Sequence, residues 1–209
     1  MTTAAPHVLE LLRDGVPGDA DREQVLDAAL EAFLDFGIRR TSMGEIARRS
    51  GLSPATLYRR FPGKDRIVWA VGLREAVRLV ERVDAEVDPA TSAEEQIVAL
   101  SVACMREMRA NALLRRLLAI EPEILLPLLT IRGGPVLDLG RAYVAEVIRR
   151  LAERDGVADL DTEQVAELLA RLTLSMALLP QTCIPFDDER ALRAFARRHI
   201  AGVLGWSPT

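Results

Sequence analysis

Residues 41–67 read TSMGEIARRSGLSPATLYRRFPGKDRI, and the cap and turn residues of this stretch decide the fold. Ser42 followed by Glu45 matches a capping box, in which each side chain satisfies a backbone N–H at the other's position. A helix is therefore predicted to start at Ser42, with Ile46 and Ala47 on its inward face. Gly51 ends it, because glycine takes the positive φ of a sharp turn without strain. Ser53 then caps another short helix with Pro54 at its first position, where the missing N–H costs nothing. After Phe61, Pro62-Gly63 breaks that helix. The stretch reads as helix, tight turn, helix.

Upstream, Val25, Ala29, Phe33 and Phe36 recur at three- and four-residue spacing from Asp21, Leu26, Leu30 and Leu34 broaden the stripe, and Gly37 follows the last turn. Residues 21–66 are thus a three-helix domain. Residues 1–20, rich in Ala, Gly, Pro and Asp, read as a partly ordered arm with one apolar patch from Val8 to Leu12. Downstream, the periodicity predicts helices at about 64–87, 92–111, 113–120, 123–130, 136–154, 162–179 and 188–204, set apart by Pro89, Pro122, Gly133-Gly134, Gly156 and Pro180. No strand-like alternation of useful length and no internal repeat is present. The fold class is all-α: an N-terminal helix-turn-helix three-helix domain, then a larger helical domain over 67–209.

Nearly half of the 209 residues are hydrophobic, which argues against disorder. The longest apolar stretches, Ile124 to Ile131 and Leu172 to Leu179, fall well short of the roughly 20 residues that cross a bilayer. No basic region followed by an apolar run and a small-residue cleavage site marks export, so a cytoplasmic chain without a membrane partner is expected. Cys104 and Cys183 lie far apart and outside any metal-ligand spacing. We expect two buried thiols, no metal and no cofactor.

Net charge is −4, yet its distribution is uneven. Between Arg39 and Arg66 eight basic residues face only Glu45 and Asp65, a local +6 that leaves −10 for the remainder. A basic face on an acidic protein attracts phosphate at one surface and discourages adhesion elsewhere. A solvated pair of charged helices has the same composition, so charge alone does not decide.

Geometry adds to it. With a turn of about 100° per residue and Leu57 and Phe61 inward, Arg59 and Ala55 point away, Thr56 and Tyr58 flank them and Arg60 sits nearer the rim. Such small, hydroxyl, aromatic and guanidinium groups on one helix suit a duplex groove, where side chains reach base edges and phosphates. Helix N-termini near Ser42, Ser53 and Lys64 offer unpaired N–H groups to phosphate.

LSPATLYRRFPGKDRI from Leu52 to Ile67, together with Glu45-Ile46-Ala47 and Gly51, resembles the DNA-binding domain of the TetR family of one-component regulators over residues 21 to 67. The resemblance implies a transcriptional regulator, commonly a repressor, that binds double-stranded palindromic operator DNA as a homodimer. It implies base contact from the neighbourhood of Pro54, Ala55 and Tyr58, and phosphate contact from Thr56, Arg60 and Lys64. Thr41, Ser42 and Met43 would hold the backbone at the start of the second helix, and Ser53 and Arg59 complete the candidate surface. Two residues depart from the pattern: Gly44 stands where many relatives carry a long polar side chain, and Arg60 where the family usually has His or another ring. Lys64 is the only lysine in the chain.

Helix 162–179 is apolar nearly all round. Val165, Leu168, Leu172, Met176 and Leu179 form one stripe, and Ala166, Ala170, Leu174, Ala177 and Leu178 another, more than one partner face can bury. The resemblance puts a dimer interface on the last two helices, through Leu168, Leu172, Leu179, Leu192, Phe195, His199 and Val203, as a four-helix bundle about a two-fold axis. Two recognition helices would then lie about 34 Å apart, one turn of DNA. Trp69, Met105, Met108, Leu117, Leu118, Tyr143, Val147 and Met176 are candidates to line a cavity between helices, and the resemblance implies that such a pocket takes a small, largely apolar effector that releases the operator. A filled core that serves dimerisation without an effector is the alternative. A helical enzyme using His199 near Cys183 and Asp187 is a remote one. Nucleotide-loop, zinc-hydrolase and serine-nucleophile patterns are absent, so catalysis is not expected.

Overall fold

The computed structural model describes residues 20–155, 161–179 and 181–204. Among the described residues the chain forms ten α-helices, one 3-10 turn and no strand. They are α1 Ala20–Arg40, α2 Met43–Arg49, α3 Pro54–Arg60, α4 Lys64–Asp84, α5 Ala93–Ala110, α6 Ala112–Ile120, α7 Pro122–Leu129, α8 Gly134–Asp155, α9 Thr162–Leu178 and α10 Glu189–His199, with the 3-10 turn at Ala201–Leu204. The all-α expectation holds. The last predicted helix is shorter than periodicity implied, since Ile200 closes it and the chain tightens to 3-10 geometry. The N-terminal arm, with His7, and the breakers Gly156 and Pro180 lie outside the described residues.

Caps fix most boundaries. Asn111, Asp161 and Asp188 accept from the N–H of Leu114, Gln164 and Ala191 at 2.8, 3.0 and 3.0 Å, satisfying donors that a helix start leaves without an intrahelical partner.

Of the described residues, 20–78 and 111–133 form one compact unit, 79–110 and 134–204 the other. Compactness thus groups α6, α7 and the start of α4 with the helix-turn-helix, where the sequence placed a boundary after residue 66. In the first unit Val25, Leu26, Phe33, Ile46, Leu57, Ile67 and Val71 are fully buried, and Leu117 of α6 and Leu125 of α7 join the same core. Each such side chain contributes about 1.5–3 kcal/mol. Arg74 of α4 pairs with Glu23 and Asp27 of α1 at 3.2 and 2.9 Å, holding these two helices side by side.

In the second unit, Val83, Ile97, Val98, Ala103, Ile148, Leu151 and Ala196 form the core. On α9, Ala166 and Ala170 are buried, and Ala170 lies against Gly140 of α8, so small residues let α8 and α9 approach closely. The Tyr143 hydroxyl donates to Asp84 Oδ1 at 3.2 Å within this core. Burial, and then the charge of Asp84, push the phenol's pKa up, so it stays a neutral donor.

Candidate nucleic-acid interface

The helix-turn-helix is built as its cap residues dictate. Ser42 takes extended backbone, and its side chain accepts the N–H of Glu45 at 3.1 Å. The other half of the expected capping box is missing. The Glu45 carboxylate accepts from Arg48 Nη2 at 2.6 Å, Arg48 Nε at 3.0 Å and Arg49 Nε at 2.7 Å. Charged donors outcompete a neutral backbone N–H for a carboxylate. The Arg48 and Arg49 guanidiniums pull its pKa down to about 2. Ser50 closes α2 through its N–H to the Ile46 carbonyl, and Gly51 makes the turn at φ 66°. Ser53 caps α3 by accepting the Thr56 N–H at 3.2 Å, with Pro54 in its first turn.

On α3, Leu57 is fully buried and the adjacent Phe61 nearly so, while Pro54, Ala55, Tyr58 and Arg59 are exposed. Tyr58 is 52 % exposed, a high value for an aromatic. Thr56 is half-buried, and Ser42 and Ser53 are open to solvent. Not every predicted site residue faces outward. Thr41 is buried and donates its hydroxyl to the carbonyls of Ala32 and Gly37 at 3.1 and 2.7 Å, and Met43 is also buried. Only their backbone is left for a phosphate.

Lys64 is the larger surprise. Its Nζ donates to the carbonyls of Ile38, Arg39 and Thr41 at 2.8, 3.2 and 3.0 Å, so all three ammonium donors serve the end of α1 and the residue after it. Arg60 reaches Asp21 of α1 at 2.7 Å.

The local charge excess is likewise redistributed. Arg39 pairs with Glu123 at 2.7 Å and Arg49 with Asp35 at 2.8 Å, in addition to the Glu45 cluster. Exposed Arg40, Arg59 and Arg66 have no ion pair or hydrogen-bond partner among the described residues. Arg40 and Arg66 are further candidates that the sequence reading leaves out, although a signal exists. None of the three has an acid three or four residues away, where a helical partner would sit, whereas Arg48 and Arg49 both have Glu45.

The candidate pocket residues separate into three groups. Met105, Met108 and Met176 meet around a cavity of about 10 Å3 that Arg109, Thr173, Ala177 and Phe186 complete, room for roughly one water. Tyr143 and Val147 belong to the filled core of the same unit. Trp69, Leu117 and Leu118 lie in the other unit, Leu117 within its core. Enclosure raises the Cys104 thiol to about 11. Cys183 is exposed in the α9–α10 connection, contrary to the expectation of two buried thiols.

Among the candidate dimer residues, Leu168, Leu172 and Leu179 are exposed by 47, 40 and 64 %. Leu192 is buried in its own unit's core. Phe195 packs on that core and stacks against His199 at 4.9 Å between ring centroids. The side chain of Val203 lies outside the described residues.

Residues 25–71 match the family model of bacterial regulatory proteins of the tetR family, and residues 93–197 that of the bacterial tetracyclin repressor C-terminal domain. The chain belongs to the TetR family. It is a helix-turn-helix, DNA-binding transcriptional regulator, and its TetR-family relatives are regulators rather than enzymes. The transcriptional regulator AlkX of Mycobacterium tuberculosis is 26% identical over 183 residues, 85% of this chain and 86% of that protein. FasR of Mycolicibacterium smegmatis, a transcriptional activator, is 41% identical over 68 residues, 32% of this chain and 31% of its own. The TetR fold recurs in Salmonella enterica GusR, with a TM-score of 0.65, 24% identity and 91% and 98% of the two chains covered. It recurs also in the repressor AlkX from a Dietzia strain implicated in biodegradation of n-alkanes, with a TM-score of 0.65, 22% identity and 88% and 95% covered. No described helix of this TetR-family member is long and apolar enough to cross a membrane.

Proposed function

We propose that this TetR-family regulator represses transcription by holding a palindromic operator as a homodimer, in the cytoplasm, and is released by a small, largely apolar effector. The observation that carries the DNA part is the outward face of α3, where Tyr58 and Arg59 stand exposed over a fully buried Leu57. Pro54, Ala55 and Tyr58 read base edges. Arg40, Arg59 and Arg66 supply charge to phosphates, and the N–H groups at the starts of α2 and α3 add neutral contacts. Leu168 and Leu172 of α9, with Leu179 at its cap, form the face that a second copy covers.

Support for an effector is chemical. Three methionines converge on one small apolar cavity, and unbranched side chains of this kind re-pack around a guest at low cost. The cavity's size favours the second reading, a filled domain that only dimerises. Fluorescence anisotropy with labelled DNA flanking the protein's own gene tests the operator reading. Sequence-selective binding supports it, and equal affinity for a scrambled duplex rejects it. Thermal shift with apolar compounds separates the two readings of the larger domain, since only an effector site gives a concentration-dependent rise in Tm.

A further inference from the structure

At the end of α1 and into the connection to α2, side chains take two N–H groups and four carbonyls of residues 37–41. Gly37 breaks α1 with φ 81° and ψ 169°, leaving the N–H groups of Ile38 and Arg39 without helical acceptors. Glu121 supplies them. Its Oε2 accepts from Ile38 N at 2.6 Å and Arg39 N at 3.3 Å, and its Oε1 from Arg39 N at 3.0 Å, across 82–83 residues of sequence. The carbonyls of the same segment are taken by Lys64 and that of Gly37 by Thr41.

Glu121 itself sits at the junction of α6 and α7, 7 % exposed. It occupies the cap position of α7, yet makes no side-chain cap bond there. The donors it would meet on its own helix are forgone for those beside Gly37. The fit is close: a Cβ on residue 37 would lie 2.7 Å from Glu121 Oε1 and 2.9 Å from its Cδ. Around it, Arg39 pairs with Glu123, and Arg116 Nη2 donates to the Asp35 carbonyl at 3.3 Å.

We propose that Glu121 is a positioning residue for operator recognition: by fixing residues 37–41 it sets the angle at which α2 and α3 leave α1, and so makes α6–α7 part of the DNA-reading body. Two N–H donors and four carbonyl acceptors held on residues 37–41 define a single backbone path. Without the carboxylate, two N–H groups turn to water and the segment samples other paths. Phosphate attraction tolerates such variation, because it depends on charge, whereas base readout requires side chains placed to a fraction of an ångström. Loss of Glu121 therefore removes discrimination before it removes binding.

The inference rests on the operator reading above, and one experiment separates their failures. Affinities of the full-length wild type, Glu121→Ala, Glu121→Gln and Glu123→Ala are measured by anisotropy for the operator duplex and for a scrambled duplex of equal length. Salt is held fixed, at a temperature where circular dichroism shows all four folded. Glu121→Ala is expected to lose at least about tenfold in operator affinity with less than about twofold change on the scrambled duplex. Glu121→Gln keeps one carbonyl acceptor of the same shape and falls in between, and should decide the matter if the alanine variant does not fold. Glu123→Ala removes only a surface ion pair and keeps the wild-type ratio. A ratio of operator to scrambled affinity that stays at the wild-type value in both Glu121 variants overturns the proposal, even if their melting temperatures fall. A wild type that shows no preference for the operator overturns the operator reading and this inference with it.

Discussion

The Lys64 ammonium lies 3.0 Å from the Thr41 carbonyl oxygen, and with two further bonds to Ile38 and Arg39 it closes the C=O side of the segment that precedes α2. A single cation replaces the intrahelical donors that those carbonyls lack. Lys64→Ala is therefore expected to act first on stability, by about 1–2 kcal/mol, which lowers Tm by a few degrees in a chain of this size. Operator affinity falls through displacement of α2. The salt dependence of binding should change by well under one unit, because no phosphate partner is lost. A drop of about 0.9 in the slope of log K against log salt, with unchanged Tm, would place the ammonium on a phosphate instead.

Arg40, Arg59 and Arg66 are expected to behave in the opposite way. Each is exposed and without an internal partner among the described residues, so alanine substitution costs the fold less than about 0.5 kcal/mol. Each should weaken binding to operator and scrambled duplex alike and reduce the salt slope by about 0.9. Titrations between low and moderate salt decide it, and a slope equal to wild type in all three variants removes these residues from the interface.

Tyr58 carries sequence preference in this scheme. With half of its surface open and its ring in neither buried core, Tyr58→Ala should leave Tm within a degree or two of wild type. Operator affinity should drop by about 1–3 kcal/mol, while the scrambled duplex is bound nearly as before. Equal losses on both duplexes would mean that the ring serves the phosphate backbone rather than the bases.

Most of the fold was legible because its signals are local. Ser42, Gly51, Ser53 and Pro54 act on their immediate neighbours, and the structure uses each as its chemistry dictates. Leu57 and Phe61, assumed inward as the apolar pair of α3, are both buried. What the sequence hid is long-range. Lys64 reads as a free cation in a basic run and Glu121 as one more acid between two helices. Their partners are fixed by tertiary folding, 23 to 26 residues away for Lys64 and 82 to 83 for Glu121. Outward and inward leucines on α9 were equally hard to separate, because a helix apolar on all sides does not say which stripe meets its own domain.

Glu45 gives the interface a predictable acid response. Its carboxyl, ordinarily near 4.5, is held at about 2 in the folded chain by Arg48 and then Arg49. A folded value below the unfolded one means that the contribution is complete above about pH 4.5 and fades as pH falls towards 2. Glu45→Gln abolishes it at all pH values. Urea unfolding at several pH values should thus show the variant less stable than wild type near neutrality, with the two curves converging in acid. A difference that stays constant down to pH about 2 would show that Glu45 remains charged throughout or that its arginine bonds contribute nothing.

The exposed leucines of α9 lead to the last expectation. Leu168 and Leu172 on α9 and Leu179 at its C-terminal cap are exposed, on a helix whose buried residues are Ala166 and Ala170. The exposed part of these side chains gives a monomer nothing in water, whereas a two-fold partner covers it on both copies, for about half of the roughly 1.5–3 kcal/mol of a full side-chain burial apiece. Leu172→Glu places two like charges at the centre of that contact. Circular dichroism should show the variant fully helical, since no core residue changes, while light scattering shows it as a monomer at concentrations where wild type is a dimer. Operator binding should then weaken by at least about a hundredfold, because each half-site must be held by a separate molecule. A wild-type monomer in solution, or a Leu172→Glu dimer that binds operator undiminished, would move the interface away from α9.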